Sequence, residues 1–340
     1  MLLLGIESTC DETAASIVRD GRVVLSNVVA TQDHLHEVYR GVVPEIASRA
    51  HIENILPVIS QCCTQANVRL QDIDAIAVAR QPGLIGSLLV GVTAAKALAW
   101  TLGKPLVGVD HVRAHLYSVL LDSEATVEFP AVGLVCSGGH TALYDVRSWH
   151  DITRVGGTID DAVGEAYDKV AALLGLGYPG GPIVDRLAKT GNDRAIRFPR
   201  SLLGPDSLDF SFSGLKTAVR YHLFGTGASD IDTKVVRPQQ EVADVAASFQ
   251  RACVDVIIEK LKRAAKRTGA RSIVIGGGVS ANSAVREYTA KLGLPVYLPL
   301  LKYCTDNAAM IAGLGQHLFD QGVRDDLSMD ASPVRETSRV

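Results

Sequence analysis

The chain has 340 residues, of which 47% are hydrophobic and 21% charged, and its formal net charge is −3. One hydrophobic core seldom covers a chain of this length, so we expect two lobes. The slightly negative charge excludes a globally basic nucleic-acid-binding protein, so any contact with RNA must come from a local patch or from a partner.

The six cysteines lack the regular spacing of a disulfide framework, and we expect reduced thiols in a cytosolic protein. The N-terminal segment reaches Glu7 without a basic region, which predicts a strand and not a signal peptide. The longest apolar run, from Leu84 to Trp100, contains Lys96 and many small residues. This composition favours a buried helix over a membrane span.

The first predicted elements form a hairpin, with strands over residues 2–6 and 14–18 and polar residues between them. Three of these polar residues are acids, Glu7, Asp11 and Glu12. They would be costly beside a phosphate unless a cation or hydrogen-bond donors offset their charge. The hairpin is similar to the phosphate-facing hairpin of the actin, Hsp70 and sugar-kinase superfamily, and a solvated turn is the alternative.

A pair of histidines, His111 and His115, opens a predicted helix directly after the strand over residues 106–109. Histidines four residues apart lie on one face of a helix with Cβ atoms about 6 Å apart, so both imidazoles can reach one metal ion. Asp306 would add a carboxylate and leave coordination positions open, which suits Fe(II) or Zn(II). The alternatives are ordinary polar or core histidines and a helix N-cap at Asp306.

A turn with two glycines is predicted between the strands over residues 130–135 and 142–146. Ser137, Gly138 and Gly139 in this turn would let backbone N–H groups approach a ligand closely. A plain hairpin turn is the alternative.

The next predicted helix begins with acidic residues. Asp160 or Asp161 fits its N-cap, whereas Asp168 lies inside the helix and needs another explanation. A tight loop over residues 177–182 follows, and Asp185 lies on the helix after it. Carboxylates near such a loop could bind sugar hydroxyl groups, as Asp and Glu do for ribose.

Three glycines, Gly276 to Gly278, follow the predicted strand over residues 272–275 and lead into a helix. We interpret them as a nucleotide loop whose backbone passes over an adenine or ribose, with hydrogen bonds from Asn282. The loop is not of the Walker A type, because no GK[ST] ends it, and it lacks the βαβ context of a Rossmann fingerprint.

Nine segments in order, spanning nearly the whole chain, together identify a family. They are IESTCDET (Ile6 to Thr13), GVVPEIASRAH (Gly41 to His51), HVRAH, SGGHT, IDDAVGEAYDK, YPGGP, DFSFSGLKT, GGGVSAN and CTDN. With them the chain closely resembles the TsaD/Gcp family, the universal tRNA N6-adenosine threonylcarbamoyltransferases once described as O-sialoglycoprotein endopeptidases. The chain departs from the family pattern at Gln81, where many relatives have glycine.

The resemblance implies an α/β fold of the two-lobed, actin-like ATPase class. We expect an N-terminal lobe over residues 1–110, with a C-terminal helix over 306–320 packing back on it. The C-terminal lobe, residues 111–305, would hold the metal and nucleotide sites. Residues 323–340 are expected to form a mobile tail.

The resemblance also implies an activity: transfer of threonylcarbamoyl from threonylcarbamoyl-AMP to N6 of adenosine 37, just 3′ of the anticodon, in tRNAs that read codons beginning with adenine. The family's metal ligands fall on His111, His115 and Asp306, and we expect one divalent ion, Fe(II) in preference to Zn(II). The family's substrate-binding positions fall on Val135, Cys136, Ser137, Gly138, Gly139, Asp168, Gly181, Asp185 and Asn282. Bacterial relatives work with TsaB, which docks on the N-terminal lobe, and with TsaE, an ATPase.

The reaction needs a base for the amine proton, and our hypothesis is Asp11 or Glu12. A zinc peptidase, the main alternative, would need the glutamate of an H-E-x-x-H motif, and Val112 to Ala114 lie between the histidines here. A sugar kinase or Hsp70-like ATPase of the same fold needs no histidine pair. A non-catalytic tRNA- or partner-binding paralogue is disfavoured by the complete ligand set. We expect a cytoplasmic protein without membrane attachment.

Overall fold

The structure is a computed structural model that describes residues 1–39, 41–226 and 237–334. Its strands are β1 (Leu2–Glu7), β2 (Glu12–Arg19), β3 (Val23–Thr31), β4 (Ala75–Gln81), β5 (Leu106–Asp110), β6 (Ala131–Cys136), β7 (Thr141–Val146), β8 (Ile152–Gly157), β9 (Ser272–Gly276) and β10 (Val296–Tyr297). Its α-helices are α1 (Asp33–His36), α2 (Pro44–Ala66), α3 (Ile85–Leu102), α4 (His111–Tyr117), α5 (Val163–Leu173), α6 (Gly180–Ala188), α7 (Ser213–Phe224), α8 (Gln239–Thr268), α9 (Ser283–Thr289) and α10 (Ala308–Asp320). The chain divides into two compact units, unit 1 (Met1–Thr126 and Pro299–Val340) and unit 2 (Val127–Leu298).

Unit 1 is built on a five-stranded sheet in the order β3-β2-β1-β4-β5. The central strand β1 is apolar on both faces because helices cover both. Leu4 and Ile6 pack in a core with residues of α2 and α3, whereas Gly5 points the other way, toward α10. A Cβ on Gly5 would lie 2.2 Å from the carbonyl oxygen of Ala308, so only glycine lets α10 approach the sheet this closely.

Unit 2 repeats this architecture with a sheet in the order β8-β7-β6-β9-β10. In each unit the first three strands pair antiparallel, and two further strands add in parallel beside the first. The long helix α8 packs against this sheet, and the alternating Phe210 and Phe212 of the DFSFSG segment are fully buried in the same core. The expected α/β fold with two related lobes is confirmed.

We expected the first lobe to end at residue 110, but the first segment of unit 1 continues to Thr126. Helix α4 packs against α10 in unit 1, so His111 and His115 belong to the first unit and not to the C-terminal lobe. The segment before α10, with Asp306, also belongs to unit 1. All three predicted metal ligands therefore lie on one compact unit.

The start of the predicted mobile tail is packed against unit 1. Asp325 accepts a hydrogen bond from the backbone N–H of Gly108 in β5 at 2.7 Å, and its own N–H donates to the carbonyl of Leu106. The Met329 side chain is 7% exposed and fills the core beneath α2 and α3. Residues 335–340 of the predicted tail lie outside the described residues.

Helix α3 is long and apolar enough, by length and composition, to cross a membrane. In the structure, Leu88, Val92 and Ala95 on one side of it are buried in unit 1. The other side exposes large apolar residues, including Leu89 and Trp100. The prediction of a buried helix is thus correct for one face of α3 only. All six cysteines are free thiols, as expected.

Candidate functional site

The histidine pair of unit 1 is positioned by the junction of β5 and α4. Asp110, the last residue of β5, caps the helix, because its side chain accepts a hydrogen bond from the N–H of Arg113 at 2.9 Å. His111 and His115 then lie one turn apart on the same face, with ring centroids 4.6 Å apart. Both imidazoles are buried. The sequence prediction that the two rings share one face is confirmed.

Asp306 reaches the same point from the far end of the chain. Its Oδ1 lies 3.1 Å from Nε2 of His115 and 3.6 Å from Nε2 of His111. One ligand atom from each of the three residues lies within 4.8 Å of the others. The N-cap of α10 is Asn307, whose side chain accepts from the N–H of Met310, so the alternative of Asp306 as a helix cap is wrong.

The donor set fits a divalent transition-metal ion. Nδ1 of His111 donates a hydrogen bond to Oε2 of Glu7 at 2.9 Å, so in the neutral ring the unprotonated atom is Nε2, on the side of Asp306. His115 is fully buried, and neither of its ring nitrogens makes a hydrogen bond of good geometry with the described residues, although Nε2 lies 3.1 Å from Oδ1 of Asp306. Such an unsatisfied buried group costs about 1–3 kcal/mol, and a metal ion on Nε2 would satisfy one of the two nitrogens.

Negative charge is concentrated around the pair. Burial raises the pKa of Glu12 well above its usual value, and the charges of Asp306 and Asp11 raise it further. Burial lowers the pKa of His111, but the carboxylates of Glu7 and Asp306 outweigh this effect and raise it to about 9. The carboxylates of Glu7 and Asp306 thus favour positive charge at His111, whether it comes from a proton or from a metal ion.

In unit 2, the predicted Gly-Gly turn joins β6 to β7. Ser137 holds the turn, because its N–H donates to the carbonyl of His140 and its carbonyl accepts from the N–H of Gly164. Gly138 and Gly139 are exposed, and a Cβ on either would meet no atom within 4 Å. The backbone of both residues is therefore accessible to a ligand. The other two predicted positions, Val135 and Cys136, are strand residues with fully buried side chains.

Asp168 has a structural partner in the tight loop that precedes α6. Its Oδ1 accepts a hydrogen bond from the N–H of Gly180 at 2.7 Å, which fixes the loop against α5. The following Gly181 has open space where a Cβ would lie. Neither Asp160 nor Asp161 caps α5, since the residue at the N-cap is Ala162, and that interpretation of the acidic residues was wrong.

Asp185 and Asn282 are brought together by Gln250 of α8. The Nε2 of Gln250 donates to Oδ1 of Asp185 at 3.1 Å, and its Oε1 accepts from Nδ2 of Asn282 at 2.8 Å. Asp185 also accepts from the hydroxyl of Ser283 at 2.7 Å. Asn282 in addition lies 3.5 Å from the hydroxyl of Tyr167, the residue before Asp168. Asp185 and Asn282, two of the predicted ligand-binding residues, thus share one polar cluster with Gln250 and Ser283.

The glycine loop after β9 has a packing explanation that the sequence did not show. Gly277 has φ +90°, and a Cβ there would lie 2.4 Å from the carbonyl oxygen of Cys136. Asn282 accepts hydrogen bonds from the N–H groups of Ala284 and Val285 and so caps α9. The loop therefore brings β9 close to β6 and starts α9 beside the polar cluster.

Most of the chain matches a known protein family. A family model described as TsaD, tRNA N6-adenosine threonylcarbamoyltransferase, matches residues 23–313. The chain belongs to this family. It is 49% identical over 335 residues to the tRNA N6-adenosine threonylcarbamoyltransferase of Syntrophus aciditrophicus, covering 97% of the chain and 96% of that protein. It is 51% identical over 337 residues to the enzyme of the same name from Symbiobacterium thermophilum, covering 98% and 96%.

Solved structures support the fold of the family. HypF from T. kodakarensis matches with a TM-score of 0.60 at 15% identity, covering 94% of this chain and 48% of HypF. Component A of the (R)-2-hydroxyglutaryl-CoA dehydratase of Acidaminococcus fermentans matches with a TM-score of 0.53 at 15% identity, covering 94% and 98%. At these identities the likeness concerns the fold alone.

Three residues that the family motifs did not assign a role contribute to the two sites. Glu7 orients His111, and Gln250 joins Asp185 to Asn282. Gln81 places its Nε2 3.4 Å from Oδ2 of Asp110, the cap of the histidine helix. Glu7 lies within a quoted motif and could have been suggested by it, whereas nothing local marks Gln250.

Proposed function

We propose that this enzyme transfers the threonylcarbamoyl group from threonylcarbamoyl-AMP to N6 of adenosine 37 in tRNAs that read codons beginning with adenine. Membership of the family supports the transfer to tRNA adenosine. The observation that carries the metal-assisted form of the proposal is the convergence of His111, His115 and Asp306 within unit 1.

In this proposal the two histidines and Asp306 hold one divalent ion, Fe(II) in preference to Zn(II). The ion supplies Lewis acidity toward a phosphate or carbamoyl oxygen of the donor. Glu7 fixes the tautomer and the orientation of His111, as carboxylates behind metal-binding histidines commonly do. Asp110 fixes the first turn of the helix that carries both rings.

Unit 2 binds the donor. The exposed backbone N–H groups of Gly138 and Gly139 are suited to stabilise negative charge that develops during acyl transfer. Val135, Cys136 and Ser137 contribute as the strand end and turn that hold these groups.

Asp168 and Asp185 are assigned to hydroxyl groups of the donor. A carboxylate has about four lone-pair positions, so Asp168 and Asp185 can bind hydroxyl groups while they hold their loops. Gly181 leaves room beside them, and Asn282 fixes the start of α9.

The chemical step is an attack of the N6 amine of adenosine on the carbamoyl carbon. The bond from that carbon to the phosphate oxygen breaks and AMP leaves. Asp11 or Glu12 accepts the amine proton.

The partners proposed for the enzyme are the tRNA, a TsaB-like protein and a TsaE-like ATPase. The exposed faces of α2 and α3 support a protein partner on unit 1. Ile52 and Leu56, one turn apart on α2, are 64% and 67% exposed, and Leu89 of α3 is 45% exposed. Large apolar side chains exposed together on a surface mark interaction sites. A cytoplasmic location follows from the tRNA substrate.

Glu7 cannot serve as the general base of a glycoprotein endopeptidase. Its carboxylate lies on the Nδ1 side of the His111 ring, where it is fully buried and bonded to that ring. A peptidase base has to reach a water molecule on the metal, and a carboxylate held on the far side of the ligand does not.

The test is reconstitution with purified components. The chain, its two partner proteins, threonylcarbamoyl-AMP and unmodified tRNA are incubated, and the nucleosides of the digested tRNA are measured by mass spectrometry. We expect threonylcarbamoyladenosine at position 37 and release of AMP in equal amount, with loss of both after treatment with a chelator and recovery with Fe(II). Unmodified tRNA with the untreated enzyme would reject the activity, and full activity of the metal-free enzyme would reject the role of the metal.

A further inference from the structure

Unit 2 contains a cavity of about 590 Å³ beside the loop that follows α6. Its volume lies in the range of sites for small ligands and single nucleotide units. The charged residues of the lining are four arginines and two aspartates, namely Arg194, Arg197, Arg200, Arg251, Asp193 and Asp255. We call this the arginine cavity. The formal charge of these six side chains is +2, whereas the net charge of the whole chain is −3.

The loop that carries three of these arginines, Arg194, Arg197 and Arg200, is fixed to α8. The N–H of Asn192 donates to Oδ1 of Asp244 at 2.8 Å, and the N–H of Ile196 donates to the hydroxyl of Ser248 at 3.1 Å. The same hydroxyl donates back to the carbonyl of Asn192 at 3.2 Å. Because the backbone is held at both points, the arginines between and after them are placed before any ligand arrives, which lowers the entropic cost of binding.

The charges of the cavity are not equally neutralised. Arg200 and Arg251 both pair with Asp255, at 2.8 Å and 2.7 Å, and form a salt-bridged floor. The side chains of Arg194 and Arg197 are exposed and make no ion pair or hydrogen bond with the described residues. Exposed arginines are ordinary on a protein surface, but these two line the same concave site, and their guanidinium groups remain available to an anion.

The arginine cavity shares helix α8 with the polar cluster, part of which the proposed function assigns to the donor. Arg251 directly follows Gln250, the residue that bonds Asp185. The guanidinium of Arg251 donates to the hydroxyl of Tyr288 at 2.5 Å and lies over its ring. Tyr288 is in α9, the helix that Asn282 caps. An anion in the cavity would therefore be bound beside α8 and α9, the two helices whose residues Gln250 and Asn282 belong to the polar cluster.

From this we infer that the arginine cavity binds backbone phosphates of the substrate tRNA, with Arg194 and Arg197 as the contacting residues. The guanidinium fork matches two phosphate oxygens at once, which is why arginine serves this contact better than lysine. A protein with net negative charge needs such a local patch to hold a polyanion. The inference rests on the proposed function, because that function supplies the tRNA.

The experiment measures tRNA binding by the complete enzyme with its partner proteins, by fluorescence anisotropy over a series of salt concentrations. The test variant is the double substitution Arg194→Ala and Arg197→Ala. We expect its Kd for unmodified tRNA to rise roughly tenfold at physiological salt. The slope of log Kd against log salt should fall by about one to two, corresponding to one or two lost phosphate contacts. The melting temperature should not change, because neither side chain has a partner in the fold.

A second double variant, Arg147→Ala and Arg271→Ala, is the matched control. It removes the same charge from exposed positions of unit 2 outside the cavity, and its Kd and slope should stay close to those of the wild type. Equal Kd values and slopes for the test variant and the control would overturn the inference. So would a loss of AMP binding, measured by calorimetry, with tRNA binding unchanged, because the cavity would then hold a free nucleotide. If the wild type itself neither binds nor modifies tRNA, it is the proposed function that fails.

Discussion

The carboxylate of Glu7 accepts a hydrogen bond from Nδ1 of His111 at 2.9 Å, across 104 positions of the sequence. A carboxylate can only accept, so the ring nitrogen must donate, and the opposite nitrogen is left free for a ligand. Glu7 ends β1 and His111 begins the helix after β5, so the pair forms only when the sheet of unit 1 is assembled. Folding of this sheet therefore orients the imidazole for metal binding.

The substitution Glu7→Gln tests this relationship. The amide has nearly the same size, but it can donate to Nδ1 and so favours the wrong tautomer. We expect the affinity for Fe(II) or Zn(II) to fall about 10- to 100-fold, as for other partners behind metal ligands. A competition titration with a metal-binding dye measures the change. Glu53→Gln, at an exposed position of α2, is the control, and equal affinities of the two variants would contradict the role of Glu7.

Substitutions at Gly277 and Gly181 provide a second test, because the structure predicts different effects on stability at the two positions. Gly277→Ala should destabilise the protein by more than about 1 kcal/mol, since φ is +90° and the new Cβ would meet the carbonyl of Cys136 at 2.4 Å. Gly181→Ala has open space and a helical position, so its free energy of unfolding should stay the same or rise by up to about 1 kcal/mol. Denaturant unfolding measures both, and a larger loss at Gly181 would contradict the packing argument.

The substitution Gln250→Ala should separate Asp185 from Asn282. It leaves the Nδ2 of the buried Asn282 with one fewer acceptor, which costs about 1–3 kcal/mol in stability. Because both partners belong to the donor site that we propose, we expect KM for threonylcarbamoyl-AMP to rise more than kcat falls. Gln240→Ala, at an exposed position of the same helix, is the matched control for steady-state kinetics. An unchanged KM at Gln250 would mean that the polar cluster does not bind the donor.

Met329 reports whether the C-terminal segment belongs to the folded unit. Truncation of a buried methionine to alanine costs about 2–5 kcal/mol, so Met329→Ala should lower the free energy of unfolding within this range. Leu327→Ala, at a side chain that is 49% exposed, should lower it far less. Chemical denaturation of both variants provides the comparison. Equal small losses would show that the segment is detached in solution.

The sequence predicted the features that depend on local spacing. The shared face of His111 and His115 follows from helix periodicity, and the turn at Ser137 to Gly139 follows from two glycines between apolar runs. Asp306 could be added because the family motifs named it. These parts of the site needed no knowledge of which strands are neighbours.

Features that depend on distant partners escaped the sequence analysis. Gln250 is one polar residue of a long helix until the fold places Asp185 and Asn282 on either side of it. The polar composition after Gly322 predicted a mobile tail, although Asp325 and Met329 suffice to attach it. The two sheets have the same strand order, but unrelated side chains can form strands in that order. The sequence therefore did not reveal the repeat.

The most direct test of the metal site is the metal content of Asp306→Ala beside that of Asp320→Ala, both loaded with Fe(II) without oxygen and analysed by mass spectrometry. Wild type and Asp320→Ala should hold one ion per chain, because Asp320 lies at the far end of α10, and Asp306→Ala should retain little after gel filtration. One tightly held ion in Asp306→Ala, or none in the wild type, would contradict a site made by His111, His115 and Asp306.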